Sequence, residues 1–110
     1  MKSDLKEIIQ SIKKFRDDRN WAKFHDAKNL AISLNIESSE LLENFLWKSA
    51  QDANIGKIKE ELADVFYCAF LLADEYQFNV KEIILDKIKS NELKYPIERS
   101  KGSNKKYDEL

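Results

Sequence analysis

The sequence predicts an all-α protein built as a four-helix bundle. Only two Gly and one Pro interrupt 110 residues that are rich in Lys, Glu, Leu and Ile, a composition typical of long helices. Apolar residues recur three and four positions apart in four segments, which polar stretches separate. We expect one domain over residues 1–99 and a polar, disordered tail over residues 100–110. A bundle this small is also expected to form oligomers.

Each predicted helix has a recognisable boundary. Ser3, Asp26 and Asn79 are residue types that cap helix N-termini, and Pro96 cannot continue a helix. Asn79 is followed three positions later by Glu82, which is the pattern of a capping box. With the apolar periodicity, these signals predict helices over residues 3–18, 26–50, 57–76 and 79–95.

The charge balance and the cysteine count exclude several classes of protein. The formal net charge is −1, with 19 basic and 20 acidic residues, so the chain has no electrostatic footprint for nucleic acid or an anionic membrane. The single Cys68 rules out an internal disulfide and a cysteine-based zinc site. No stretch is apolar enough for a membrane span or a signal peptide, so we expect a cytoplasmic protein.

Two pairs of acidic residues are the most informative feature of the sequence. Glu37 and Glu40 lie three residues apart in the second predicted helix, and Glu61 and Asp64 have the same spacing in the third. Residues three apart share a helix face, and Glu37 falls within the apolar stripe of its helix. If the two helices are neighbours, four carboxylates converge and need a cation. The pattern therefore predicts a site for Mg²⁺, with Mn²⁺ as a possible substitute.

Other interpretations of the acidic residues remain open at this point. A di-iron bundle site needs two Glu-x-x-His motifs, and the only histidine, His25, lies outside both pairs, which argues against iron chemistry. Four carboxylates exceed what one Mg²⁺ normally takes, which favours more than one ion with substrate phosphates completing the coordination. The alternative from another class is a non-catalytic helical interaction module, whose carboxylates form salt bridges with lysines of a partner.

Aromatic and basic residues flank the acidic pairs. Trp47 follows Glu40 by seven residues, and on a continuous helix it would lie on nearly the same face, where it either stacks on a nucleobase or packs in the core. His25 is either a structural residue or a ligand. Candidates for phosphate contacts are Lys28, Lys48, Lys57, Lys87, Lys94, Arg99, Asn91 and Tyr95.

An aromatic block followed by the double acidic motif resembles the all-α MazG-like nucleotide pyrophosphohydrolases, and within them the dCTP pyrophosphatases. The segments that carry the resemblance are residues 16–25, 29–30, 37–43, 47–48, 60–65 and 91–96. Two positions depart from the family pattern: Ile36 stands where a Gly or an acid is frequent, and Ser38–Ser39 replace Val-Gly.

The resemblance implies a function and a role for each matching residue. The metal-binding and catalytic residues it implies are Glu37, Glu40, Glu61 and Asp64. For the base pocket it implies Trp21, His25 and Trp47, and for phosphate contacts Lys87, Asn91 and Tyr95. Family members cleave a nucleoside triphosphate to the monophosphate and pyrophosphate, and they assemble as homodimers or as homotetramers. A dCTP-like substrate and a role in cleansing nucleotide pools are expected, with a dUTP or diphosphate nucleotidase as the alternative.

Overall fold

The computed structural model describes residues 4–110, and all regular secondary structure in this range is helical. The all-α prediction is therefore confirmed. The α-helices are α1 (Asp4–Asp18), α2 (Ala27–Glu43), α3 (Ile55–Glu75), α4 (Val80–Lys94) and the single-turn α5 (Ile97–Ser100). The chain divides into two compact units, residues 4–78 with α1 to α3 and residues 79–110 with α4 and α5. The single domain of residues 1–99 and the disordered tail of residues 100–110 stay predictions.

Side-chain caps explain where three helices begin. Asp26, Asn54 and Asn79 each accept a hydrogen bond from the backbone N–H of the third residue further on, at 2.7, 3.1 and 3.1 Å respectively. Such caps satisfy donors that the first helical turn leaves free. The predicted caps at Asp26 and Asn79 are confirmed, whereas the predicted cap at Ser3 lies outside the described residues.

The prediction that α2 continues to Ala50 is wrong, because the helix ends at Glu43. The Asn44 backbone N–H turns back to the Leu41 carbonyl, and its side-chain amide donates to the Glu40 carbonyl at 3.2 Å. Asn44 therefore takes up carbonyl groups that another helical turn would have used. Short turns follow, and the backbone of Trp47 is left-handed, with a φ of 63°. Trp47 is consequently not on the helix face that carries Glu40.

The core of the first unit lies between α2 and α3, which pack along each other. Leu30 of α2 and Leu71 of α3 are the most buried side chains, with 4% and 2% of their surface exposed, and Cys68 is buried one turn before Leu71. The predicted core stripe of α3 includes Leu62, which is 40% exposed. The buried face is thus rotated towards Cys68, which brings Glu61 and Asp64, seven and four residues earlier, to the side that faces α2.

Ion pairs and an aromatic contact hold α1 against α3. Asp74 of α3 accepts contacts from Lys13 and Arg16 of α1, both at 3.3 Å, and its side chain is only 18% exposed. Phe15 meets Tyr67 of α3 edge to face, with ring centroids 6.3 Å apart. The attachment fixes the start of the segment that follows α1, where two of the predicted site residues lie.

Most residues of the second unit are exposed. α4 is exposed along most of its length, including apolar side chains such as Ile84 at 51% and Leu93 at 86%. The ring of Tyr95, at the end of α4, meets that of Tyr107 edge to face with centroids 6.2 Å apart. Pro96 ends α4 and is the N-cap of α5, as its ring geometry requires. Among residues 4–110, no helix is long and apolar enough to cross a membrane.

Candidate metal centre and adjoining cavity

Three of the four predicted carboxylates meet between α2 and α3. One oxygen each of Glu37, Glu61 and Asp64 can be chosen so that all three lie within 4.8 Å of one another. Glu37 comes from α2, and the other two lie one turn apart on α3. The spacing of three residues within each pair, together with the packing of the two helices, produces this cluster.

The environment of the cluster disfavours full ionisation. Burial raises the pKa of Glu37, and the neighbouring Glu40, Asp64 and Glu61 carboxylates raise it further. Burial also raises the pKa of Glu61, followed by the charge of Glu40 and a hydrogen bond with it. One oxygen of Glu37, Oε2, is buried and has no hydrogen-bond partner among the described residues. A buried carboxylate oxygen without a donor is a position that suits a cation.

Glu40 adjoins the cluster without belonging to the closest group of three. Its carboxylate lies near enough to Glu37 and Glu61 to raise the pKa of both by charge and by hydrogen bonding. It also lines a polar cavity beside the cluster. The structure therefore places Glu40 between the carboxylate cluster and an open volume that a substrate can enter.

Cys68 lies behind the carboxylates, and the sequence analysis did not associate it with them. Burial raises the pKa of its thiol, and the charges of Glu37 and Asp64 raise it further. The thiol therefore stays protonated at neutral pH, close to the carboxylates of Glu37 and Asp64. The signal was available in the sequence, because Cys68 follows Asp64 by four residues and so shares its helix face.

A polar cavity of about 320 Å³ opens next to the cluster. Its lining residues are Glu40, Glu43, Asn44, Lys48, Asn54, Lys57 and Glu61. Two of the lysines that the sequence suggested for phosphate contacts, Lys48 and Lys57, are thus close to the proposed metal ligands, and Asn44 and Asn54 are additional polar groups. Sequence reasoning missed both asparagines because their place depends on the path of the chain between α2 and α3.

The structure does not gather the predicted aromatic residues around the carboxylates in one pocket. Trp21 meets Phe15 edge to face at 5.8 Å between ring centroids, so part of it packs on α1. Trp47 is fully exposed, which rules out the core packing that the sequence left open. His25 is half-buried, and its Nδ1 is buried without a hydrogen-bond partner in the part of the chain that the structure describes.

The three residues suggested for phosphate contacts by the resemblance belong to the second unit. Lys87 and Asn91 lie on α4, four residues apart and therefore on one face, and Tyr95 follows at the end of the helix. Asn91 accepts the backbone N–H of Tyr95 through its carbonyl at 2.8 Å. The three residues form a single row along α4.

The residues of the cluster fit a hard divalent cation. The donor set consists of carboxylate oxygens, which Mg²⁺ and Mn²⁺ prefer. Two of the acids, Glu37 and Glu61, have a raised pKa because of burial and the nearby negative charges. A cation between α2 and α3 would compensate that charge and supply a partner for Glu37 Oε2. Such a site can bind the phosphates of a nucleotide through the ion.

Comparisons with known proteins agree with this geometry. The model of the MazG-like family matches residues 32–110, which contain all four predicted carboxylates. The dCTP pyrophosphatase 1 of Rattus norvegicus is 33% identical over 116 residues, covering 96% of this chain and 67% of the relative. The dCTP pyrophosphatase 1 of Homo sapiens is 31% identical with the same coverage of both chains. The crystal structure of a pyrophosphatase from Archaeoglobus fulgidus has a TM-score of 0.81 and 37% identity, covering 87% of this chain and 95% of that one.

Proposed function

This chain belongs to the MazG-like family, and we propose that it cleaves dCTP, or a closely related deoxynucleoside triphosphate, to the monophosphate and pyrophosphate with Mg²⁺ as its cofactor. Its similarity to dCTP pyrophosphatases and to an archaeal pyrophosphatase supports the activity of a nucleoside triphosphate pyrophosphatase. The observation that carries the proposal is the meeting of Glu37, Glu61 and Asp64 between α2 and α3.

In this proposal Glu37, Glu61 and Asp64 hold the metal, and Glu40 completes the site. Bound Mg²⁺ would neutralise the triphosphate and stabilise the charge that develops at the attacked phosphorus. Because Glu40 borders both the cluster and the polar cavity, we assign to it the orientation of the attacking water and the acceptance of its proton. Holding the water in line with the phosphorus is the main task left to the protein.

Base recognition is assigned to Trp21, His25 and Trp47. A fully exposed indole such as Trp47 gains free energy when a flat ring covers it, which makes it suitable for stacking on a nucleobase. The buried, unpaired Nδ1 of His25 is a polar atom in need of a partner. Selectivity for cytosine would then follow from hydrogen bonds that another base leaves unmade.

Lys87, Asn91 and Tyr95 are assigned to phosphate contacts from the resemblance. They form one row along α4, with a cationic group, an amide and a phenol that can each donate a hydrogen bond to phosphate oxygens.

A homodimer, or a homotetramer of two dimers, is the proposed assembly. An apolar cavity of about 420 Å³ lies on the first unit, lined by Ile8, Ile12, Ala63, Phe66, Tyr67 and Phe70. Phe66 is 53% exposed and stacks on Phe70 at 6.1 Å. Exposed apolar surface of this kind typically marks an interface between proteins.

A cytoplasmic location, which a free Cys68 favours, and a role in cleansing nucleotide pools complete the proposal.

The test is pyrophosphate release from a panel that contains the canonical deoxynucleoside triphosphates, dUTP and dCDP, with MgCl₂ or EDTA. We expect release from dCTP with MgCl₂ and none with EDTA. Asp64→Asn is expected to lower kcat at least 100-fold while the helical circular dichroism is retained, whereas the exposed Glu92→Gln should behave as the wild type. Equal activity of Asp64→Asn and wild type would exclude the proposed metal centre, and preference for dUTP or dCDP would refute the choice of substrate.

A further inference from the structure

We propose that the polar cavity beside the carboxylate cluster binds the two terminal phosphates of the substrate, which leave as pyrophosphate, through Lys48 and Lys57. This inference rests on the proposed function, because it assigns one part of the substrate to a cavity that the same carboxylates border. It also gives a specific role to Lys57. This residue lies outside both acidic pairs and outside the aromatic block, and the sequence named it only as one of several candidates for phosphate contacts.

The composition of the cavity determines the kind of group it accepts. Of its seven lining residues, five carry a charge and two are asparagines, and none is aromatic or aliphatic. A nucleobase or a sugar would have no apolar surface to cover there. A volume of about 320 Å³ is ample for two phosphate groups with an ion and some water.

The charge of the cavity makes anion binding dependent on the metal. Glu40, Glu43 and Glu61 against Lys48 and Lys57 give a formal charge of −1, which one divalent ion changes to +1. Without the ion, the carboxylates repel a phosphate. With it, the cavity attracts one, and the two ammonium groups are left to contact phosphate oxygens.

Both lysines are available for that contact. Among the described residues, neither Lys48 nor Lys57 forms an ion pair, although three glutamates line the same cavity. Lys57 lies in the first turn of α3, where its backbone N–H donates to the Asn54 cap at 3.1 Å. A cation in the first turn of a helix is disfavoured by the helix dipole. The charge of Lys57 therefore does not stabilise α3 through the helix dipole, and its position is consistent with a role in binding.

The chemistry of the reaction, together with the place of the lysines outside the carboxylate cluster, favours contacts with the β- and γ-phosphates. The cavity is bordered by Glu40 and Glu61, the residues it shares with the proposed metal centre, and its cationic residues are additional to that centre. When the bond between the α- and β-phosphates breaks, the negative charge grows on the leaving pyrophosphate. Lysines that contact the β- and γ-phosphates would stabilise that charge in the transition state and retain pyrophosphate afterwards.

The experiment compares Lys48→Gln and Lys57→Gln with Lys59→Gln in the full chain. Lys59 is exposed, carries the same charge and lies on the opposite face of α3 two residues further on, which makes it a matched control. Titration calorimetry measures binding of pyrophosphate with MgCl₂, of pyrophosphate with EDTA, and of dCMP with MgCl₂. Thermal denaturation checks that each variant is folded, and we expect Lys57→Gln to be at least as stable as the wild type.

We expect each cavity variant to bind magnesium pyrophosphate about tenfold more weakly, with dCMP binding unchanged, and Lys59→Gln to match the wild type. The inhibition of dCTP hydrolysis by pyrophosphate should weaken by the same factor. Two results would refute the subsite while leaving the hydrolase function intact, provided that the wild type hydrolyses dCTP. In the first, both cavity variants bind pyrophosphate as tightly as the wild type. In the second, the variants lose binding of dCMP by the same factor as binding of pyrophosphate. If the lysines bind pyrophosphate but no nucleotide is cleaved, the cavity is correct and the proposed function is wrong.

Discussion

Replacing Glu37 by glutamine is expected to stabilise the metal-free protein and to remove most of the stabilisation that Mg²⁺ provides. Glutamine keeps the size of the side chain and removes its charge. The carboxylate has a raised pKa because burial and the neighbouring acids disfavour its ionised form. The free energy of unfolding should therefore rise at neutral pH once that charge is gone.

The magnitude follows from the distance between the carboxylates. The cluster oxygens of Glu37 and Asp64 lie within 4.8 Å of each other, and two unit charges at that distance repel by about 0.9 kcal/mol in bulk water. Asp64 is exposed and Glu37 is half-buried, so the aqueous figure applies better than that for a protein interior. For a chain of this size, about 1 kcal/mol corresponds to a rise in Tm of about 4 °C.

The assay is thermal denaturation followed by circular dichroism at pH 7.5 with EDTA or MgCl₂, and at pH 4 with EDTA. Wild type should gain about 2.7 kcal/mol when free Mg²⁺ exceeds its Kd 100-fold, and Glu37→Gln should gain much less. The advantage of the variant in EDTA should shrink at pH 4, because the raised pKa of Glu37 leaves its carboxyl group largely protonated in the wild type. Glu92→Gln, which removes an exposed charge outside the cluster, is the control and should change Tm little.

Two results would refute this reasoning. A lower Tm of Glu37→Gln than of wild type in EDTA at pH 7.5 would mean that the carboxylate is stabilised by a donor and not destabilised by its neighbours. An equal response of both proteins to MgCl₂ would mean that Glu37 is not a ligand.

Three further outcomes are expected. Since the pKa of Glu37 and that of Glu61 are raised in the folded protein, the contribution of these two groups to the stability of the metal-free fold should be largest below the pKa of the unfolded carboxyls and should be lost as pH rises through the folded values. Saturating MgCl₂ should remove that loss in urea titrations. Trp47→Ala should raise KM for dCTP about tenfold without lowering Tm, because its indole is fully exposed; an unchanged KM would exclude base stacking. Asp26→Ala should cost about 1 kcal/mol of unfolding free energy in the same titrations, since the cap of α2 is lost; no change would mean that water replaces the cap.

The features of the fold that depend only on residues close together in the sequence were predictable from the sequence. The caps at Asp26 and Asn79 are local interactions between a side chain and a backbone group three residues away, so residue type and position suffice to predict them. The end of α2 was not predictable in the same way. Residues 44–54 contain no Gly or Pro, and the helix ends because Asn44 takes up carbonyl groups and Trp47 adopts a left-handed backbone.

The same distinction applies to the candidate site. The spacing of the acidic residues predicted that Glu37, Glu61 and Asp64 would face one another, because helix periodicity determines their direction once α2 and α3 pack together. The relation of Trp47 to Glu40 was wrongly inferred, since it assumed an uninterrupted helix. The lysines could not be ranked from the sequence, because the irregular segment 44–54 decides which of them approach the carboxylates.

The proposed metal ligands all come from one helical hairpin, α2 and α3, and this has a consequence for folding. The hairpin is closed by the short segment 44–54, so its contacts are local in sequence and cost little chain entropy to form. Docking of the two helices brings like charges together, which opposes the step in the absence of an ion. A divalent ion that bridges α2 and α3 would lower the barrier to docking, and refolding of this chain should therefore be faster when Mg²⁺ is present from the start.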